Sequence, residues 1–71
     1  MTDVQRENRI SDYIEKVFHI ISDSAYVFHK SGINDIDYIV EVYEYDEITT
    51  VSTFIAYSDG RIVYSHIYVI I

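Results

Sequence analysis

Hydrophobic and polar positions in the first third of the chain follow a helical period. Apolar side chains recur there at three- and four-residue spacing, at Ile10, Tyr13, Ile14, Val17, Phe18 and Ile21. Polar side chains fill the other side, which is the pattern of an amphipathic α-helix with one apolar stripe. We predict that this helix begins near Val4, with Thr2 or Asp3 as its N-cap. It should end near Ser22-Asp23-Ser24, because these side chains compete for backbone hydrogen bonds.

After the helix, the pattern becomes that of β-strands. The run from Ala25 to Lys30 is short and β-rich, and the Gly, Asn and Asp in Ser31 to Asp35 favour a loop. Residues 36–71 then read as three more strands separated by two turns. The order α-β-β-β-β predicts one α+β domain over residues 1–71, with the N-terminal helix packed on a four-stranded antiparallel meander. The sheet is either open or curled into a small barrel.

The two turns predict a register for the last three strands. Asp59-Gly60 suits a two-residue type I′ turn, which opposes Tyr57 with Ile62, and a turn centred on Asp46-Glu47 opposes Val42 with Val51. One face of the sheet then collects Ile36, Tyr38, Val40, Val42, Val51, Ile55, Tyr57, Ile62, Tyr64, Tyr68 and Ile70. The other face mixes apolar and polar residues. Both faces therefore need at least partial cover, and the helix can cover only one.

Length and composition limit the class of protein. Seventy-one residues form one small domain with a modest core. The absence of Cys excludes disulfides and thiolate metal sites, so we expect a cytoplasmic protein. No signal peptide or transmembrane helix is expected from the pattern. Because neither a disulfide nor a metal strengthens this small fold, we expect self-association to add stability.

The charge of the chain is negative and unevenly placed. The net charge is −7, and six acids fall within thirteen residues, at Asp35, Asp37, Glu41, Glu44, Asp46 and Glu47. No Lys or Arg occurs from Ser31 to Gly60. Such a surface repels phosphate backbones and attracts basic partners. It is either a binding surface for a basic protein or a solvated surface that keeps the protein soluble. Nucleic acids and membranes are not expected as partners.

Residue types that carry catalysis or bind metals do not form a recognisable motif. The histidines at positions 19, 29 and 66 have neither i,i+4 spacing nor a His-x-His pattern. Ser65 and His66 are adjacent and so lie on opposite faces of a strand, which excludes a serine–histidine pair. Two glycines cannot make a phosphate loop. We expect no enzyme, metal or cofactor, and an interior or interface position for His66.

Tyrosines lie among the acids of the second strand. Tyr43 and Tyr45 stand within Glu41-Val-Tyr-Glu-Tyr-Asp-Glu47. Tyrosine is enriched at protein interfaces because it buries area and keeps a polar tip, although its β-propensity alone also explains it. The predicted partner-binding residues are Glu41, Tyr43, Glu44, Tyr45, Asp46 and Glu47.

The last strand, residues 61–71, is long, apolar and nearly uncharged. As a free edge it would promote aggregation. It therefore either closes on the first strand as a barrel or pairs with another chain. The predicted oligomer interface consists of Ile62, Tyr64, His66, Tyr68 and Ile70.

Three residues of this strand, Tyr64-Ser65-His66, match a Tyr-x-His pattern in late strands of bacterial Sm-like proteins. With a preceding helix and a turn at Ser31-Gly32-Ile33, the chain resembles the Sm-like family. The resemblance implies a small bent barrel, assembled into a ring that binds single-stranded RNA with His66 near the RNA. Ser65 replaces the Lys usual in that pattern, and residues 31–60 lack cations for phosphate.

Three functional hypotheses follow from the sequence. The first is a non-enzymatic acidic interaction module, such as a small inhibitor, immunity or anti-defence-type protein, that occludes a basic site on a partner. The second is an Sm-like RNA-binding oligomer. The third is a structural subunit that assembles with itself, as a dimer or larger homo-oligomer, through the C-terminal strand or a sheet face.

Overall fold

The computed structural model describes residues 1–21 and 23–71. They form the helix α1 (Asp3–Phe18) and the strands β1 (Ala25–Lys30), β2 (Ile36–Tyr45), β3 (Thr49–Tyr57) and β4 (Ile62–Ile70). The four antiparallel strands make one sheet in the order β1-β2-β3-β4. The predicted α-β-β-β-β order is confirmed. The sheet is open, with β1 and β4 at its edges, and is not a barrel. In this described part of the chain, no helix is long and apolar enough to cross a membrane.

The first turn of α1 is fixed by a capping box. The Thr2 hydroxyl accepts from the Gln5 backbone N–H at 3.2 Å, and the Gln5 side chain accepts from the Thr2 N–H at 2.9 Å. The helix ends at Phe18, earlier than predicted, because His19 takes the left-handed conformation with φ of 54°. The predicted end at residues 22–24 was wrong, and Ser22 itself lies outside the described residues.

The buried stripe of α1 is narrower than the sequence pattern. Ile10 and Ile14 are fully buried, whereas Tyr13, Val17 and Ile21 are exposed. A single helix on a sheet has no second element beside it, so only the residues that point directly down are covered. Tyr13 and Val17 lie on the flank of the helix, and Ile21 lies beyond its last residue, Phe18.

The hydrophobic core lies between α1 and one face of the sheet, called here the helix face. It consists of Ile10, Ile14, Tyr38, Val40, Val42, Phe54 and Ala56, with Ile20, Tyr26, Phe28 and Ile62 packed at its margin. The Phe54 ring also contacts the Phe18 ring edge to face, at 4.9 Å between centroids. The opposite side, called the open face, has no second layer among the described residues.

The register of β2 with β3 differs from the predicted one by one residue. Val42 opposes Ser52, and not Val51, because the turn contains three residues, 46–48, instead of two. A slip of one residue moves every side chain of a strand to the other face. Phe54 and Ala56 consequently enter the core, and the predicted face assignment for β3 was wrong.

Strand β4 contains a β-bulge that the sequence did not predict. Ala56 opposes Ile62, so the predicted pair of Tyr57 with Ile62 was wrong. The same two-residue turn also predicts that Thr53 opposes His66, and this pair is confirmed because the register shifts by one residue at Ser65.

The bulge separates the residues of the predicted oligomer interface. Ile62 and Tyr64 lie on the helix face, where Tyr64 contacts Phe54, with 5.6 Å between ring centroids. His66, Tyr68 and Ile70 lie on the open face, so the five residues do not form one surface.

Candidate functional site

The predicted partner-binding residues lie on three different parts of the molecule. Glu41, Tyr43 and Tyr45 alternate along β2 on the open face, and Glu44 lies between them on the helix face. Asp46 and Glu47 are exposed in the β2–β3 turn. Five of the six residues thus lie on the open face or its adjoining turn, and only Glu44 lies on the other side of the sheet.

Glu41 sits near the middle of the open face and is already hydrogen-bonded. Its side chain is 23% exposed. The Nε2 of His29 donates to Glu41 Oε1 at 2.7 Å, and the Tyr68 hydroxyl donates to Glu41 Oε2 at 3.4 Å. The carboxylate therefore links side chains of β1 and β4 across the sheet. It is less available to a cation on a partner than the sequence suggested.

Tyrosine side chains flank a buried position on the open face. Tyr43, Val51 and Tyr68 stand directly opposite one another on neighbouring strands. Val51 is fully buried although the described part of the chain places no second layer above it, and cross-strand contact with the two large rings accounts for this. Partial desolvation first, then the charge of Glu41 and the neighbouring Tyr43, raise the pKa of the Tyr68 hydroxyl. The hydrogen bond from the Tyr68 hydroxyl to Glu41 and this raised pKa both reflect the closeness of the two side chains.

Further aromatic contacts order the rest of the open face. Tyr45 stacks on Tyr43 and His66 stacks on Tyr68, each pair with 6.4 Å between ring centroids. Tyr45 remains about half exposed. His66, which we expected in an interior or interface position, is exposed. Its Nδ1 lies 3.0 Å from the Ser65 hydroxyl. The prediction that these two side chains lie on opposite faces of the strand was therefore wrong, because the bulge at Ser65 interrupts the alternation.

His29 belongs to this cluster and was not found from the sequence. Its contact with Glu41 is diagonal, since Val27 opposes Glu41 and His29 opposes Ile39. This contact can be predicted only if the register of β1 with β2 is known. The loop between these strands, residues 31–35, contains no turn motif that fixes a register. The sequence shows an acid on β2 and a histidine on β1, but it does not show how the two strands are aligned, and so it does not show that these side chains meet.

A second polar cluster ties the start of α1 to the sheet. Asp3 pairs with Lys30 and lies 3.7 Å from Arg6, whose guanidinium is also 3.9 Å from Asp37. The Ser58 hydroxyl donates to Asp37 at 2.9 Å. The hydrogen bond and charge of Lys30 lower the pKa of Asp3. Both cations of this cluster face carboxylates, so it fixes the helix and does not present a site for an anion.

Two negative findings complete the description of the site. Among residues 1–21 and 23–71, no three histidine or carboxylate side chains come together as ligands for a metal ion. No protein-family model, curated protein or solved structure matches the chain.

Proposed function

We propose that this protein is a non-enzymatic interaction module. It binds a partner protein through the open face and the adjoining acidic turn, and it occludes a basic, partly apolar surface on that partner. The observation that supports this most directly is an apolar and aromatic sheet face over which residues 1–21 and 23–71 place no second layer. Side chains left at least partly exposed there are Val27, Ile39, Tyr43, Tyr45, Ile55, Tyr57, Val63, Tyr68 and Ile70. Apolar patches of this kind are typical of interaction sites.

The aromatic side chains of this face are held in place before any partner arrives. Glu41 connects His29 and Tyr68 by hydrogen bonds, and Tyr43 and Tyr45 stack. A preorganised surface loses less conformational entropy on binding. Tyrosine is also among the residue types that dominate binding energies in interfaces.

Charge complementarity supports a basic partner. Asp46 and Glu47 are exposed at one end of the face, and Lys and Arg are absent from residues 31–60. Arg61, which lies beyond this range, is engaged by Asp59 at 2.8 Å and by the Tyr57 ring at 4.4 Å. Long-range attraction of a basic partner speeds encounter and weakens as salt is added.

Two double variants with the same chemical change test this proposal. Tyr45→Ala with Glu47→Lys alters the open face and its turn, and Tyr13→Ala with Glu15→Lys alters the outer side of α1. Tyr45 and Tyr13 are 52% and 43% exposed, and both glutamates are exposed. Each variant loses one ring and reverses one charge, so they differ only in the surface affected.

The assay is capture of proteins from a lysate of the source organism on the immobilised wild type and both double variants, at low and high salt. A partner found by capture is then purified and titrated by calorimetry. We expect the open-face variant to bind it at least about tenfold more weakly, with little change for the helix variant. Equal binding by both variants, or loss only in the helix variant, would refute the open face as the binding surface.

A further inference from the structure

The two edges of the sheet are protected very differently. The edge strand β1 has six residues and ends in His29 and Lys30. The edge strand β4 has nine residues, Ile62–Ile70, without a charge, a Pro or a Gly. Natural edge strands avoid pairing with other chains by being short, by carrying Lys or Pro, or by bulging. Of these features β4 has only the bulge at Ser65.

Apolar side chains of β4 are exposed on both faces of the sheet. The six that are between 42% and 52% exposed are Val63, Tyr64, Ile67, Tyr68, Val69 and Ile70. Within the described residues, β4 pairs only with β3. Its outer N–H and C=O groups thus form a template to which another strand can be added.

The side-chain pattern of β4 is complementary to itself in the antiparallel direction. Because of the bulge, Ser65 and His66 together occupy one position of the ladder. When these two residues count as one position, an antiparallel second copy places its Ile67 opposite Tyr64, its Tyr68 opposite Val63, and its Val69 opposite Ile62. The two residues of each pair lie on the same face of the sheet. The pairs of Tyr64 with Ile67 and of Ile62 with Val69 lie on the helix face, and the pair of Val63 with Tyr68 lies on the open face. Aromatic and β-branched residues are favourable cross-strand neighbours.

We infer that β4 pairs antiparallel with β4 of a second copy, about a twofold axis at Ser65–His66. The two sheets become one eight-stranded sheet. This interface uses the strand edge and does not depend on the partner proposed for the open face.

The charges near β4 favour a second copy as the occupant. The strand brings no charge, so no like charges oppose one another along the ladder. In the proposed register, Arg61 of the second copy lies opposite Ile70. This is the end of the sheet where Asp46 and Glu47 of the first copy are exposed. Arg61 is paired with its own Asp59, but its side chain is 64% exposed, so the interface brings the one Lys or Arg of residues 31–71 toward the acidic turn.

A lysine placed on one edge or the other tests the interface. Ile67→Lys puts a charge on β4, and Val27→Lys puts the same charge on β1, where the native side chain is also exposed. Light scattering with size-exclusion chromatography, from micromolar to millimolar protein, should give the wild type twice the 8.4 kDa of one chain. We expect Val27→Lys to remain a dimer and Ile67→Lys to dissociate at least about tenfold more readily. Circular dichroism checks that both variants are folded.

Single cysteines test the register, since the chain has no other Cys. Ser65→Cys lies at the proposed axis and should cross-link two chains under mild oxidation. Ser58→Cys, which is exposed in the β3–β4 turn, should not. A wild type that is monomeric throughout the concentration range overturns the inference. So does a dimer that survives Ile67→Lys unchanged, a dimer that Ser65→Cys fails to cross-link, or an open-ended polymer instead of a closed pair.

Discussion

Replacing Ile14 by alanine tests which side of α1 faces the core. Ile14 is fully buried against the sheet, whereas Val17, one turn further and part of the same predicted stripe, is 49% exposed. The sequence pattern treats both residues as core. The structure makes them very different, so the two alanine substitutions form a matched pair on one helix.

The expected cost of Ile14→Ala follows from its burial. The substitution removes three carbon atoms from a site without solvent, at about 0.8 kcal/mol for each. The cavity left behind adds to this, so we expect a loss of about 3 kcal/mol. Domains of this length have a total stability of roughly 4 to 11 kcal/mol, so a large part of the total is lost. Val17→Ala removes half-exposed carbons and improves helix propensity, and should change stability by less than about 0.5 kcal/mol.

Guanidinium unfolding followed by circular dichroism measures both variants. With a slope of about 2 kcal/mol per molar for a small protein, the midpoint should fall by about 1.5 M for Ile14→Ala. It should stay nearly constant for Val17→Ala. Equal losses in the two variants would mean that the helix is rotated relative to this packing, and a larger loss for Val17→Ala would refute it.

Three smaller predictions address individual side chains. The Tyr26 hydroxyl is buried without a hydrogen-bond partner among the described residues, and desolvation is the main cause that raises its pKa to about 12. Tyr26→Phe should therefore stabilise the protein by about 1 kcal/mol, whereas Tyr38→Phe, which loses the 3.3 Å bond to Glu7, should destabilise it by about 1 kcal/mol. Thermal unfolding measures both changes in stability. A destabilised Tyr26→Phe or a stabilised Tyr38→Phe would contradict the surroundings described for these two hydroxyls. Gly60 has φ of +98° in the β3–β4 turn, so Gly60→Ala should cost about 1 kcal/mol in the same assay, and an unchanged midpoint would contradict this conformation. The backbone and side-chain hydrogen bonds from Arg61 lower the pKa of Asp59 below 3.8. The stability that this shift provides is present above pH 3.8 and is lost as the pH falls through the lowered pKa of Asp59. Asp59→Asn should therefore lose less of its unfolding free energy between neutral and acid pH than the wild type does. An equal loss in both proteins would argue against the interaction.

The element order was predictable because each element has a local signal. The helix has its period and its cap at Thr2, and β1 has its run of β-favouring residues between loop residues. Strand register has a much weaker local signal. A turn of three residues in place of two, at residues 46–48, moved Phe54 into the core and Val51 out of it. Short sequences such as Asp46-Glu47 fit turns of either length, and only packing against α1 selects between the resulting faces.

The candidate site was harder to predict than the fold because it is made of contacts between strands. Tyr43 and Tyr45 could be proposed from their neighbours in the sequence. The contact of His29 with Glu41 depends on a pairing across an irregular loop, and that of Tyr68 with Glu41 depends on a bulge. Neither contact produces a pattern that can be read within the sequence of a single strand. The acids of residues 41–47 looked alike in the sequence, yet Glu41 on β2 is hydrogen-bonded, whereas Glu47 in the turn is exposed.

The two proposed surfaces are geometrically compatible, and their combination has a consequence. A twofold axis perpendicular to the sheet keeps both helices on one side and both open faces on the other. A dimer through β4 would thus present two sets of tyrosines in the same direction, with an acidic turn at each end of the eight-stranded sheet. A partner with two basic surfaces, or with one extended basic surface, would contact both copies at once. The second contact then forms at the high effective concentration of a tethered site. Pairing of the β4 edges would in this way strengthen the binding of a face that is small in a single copy.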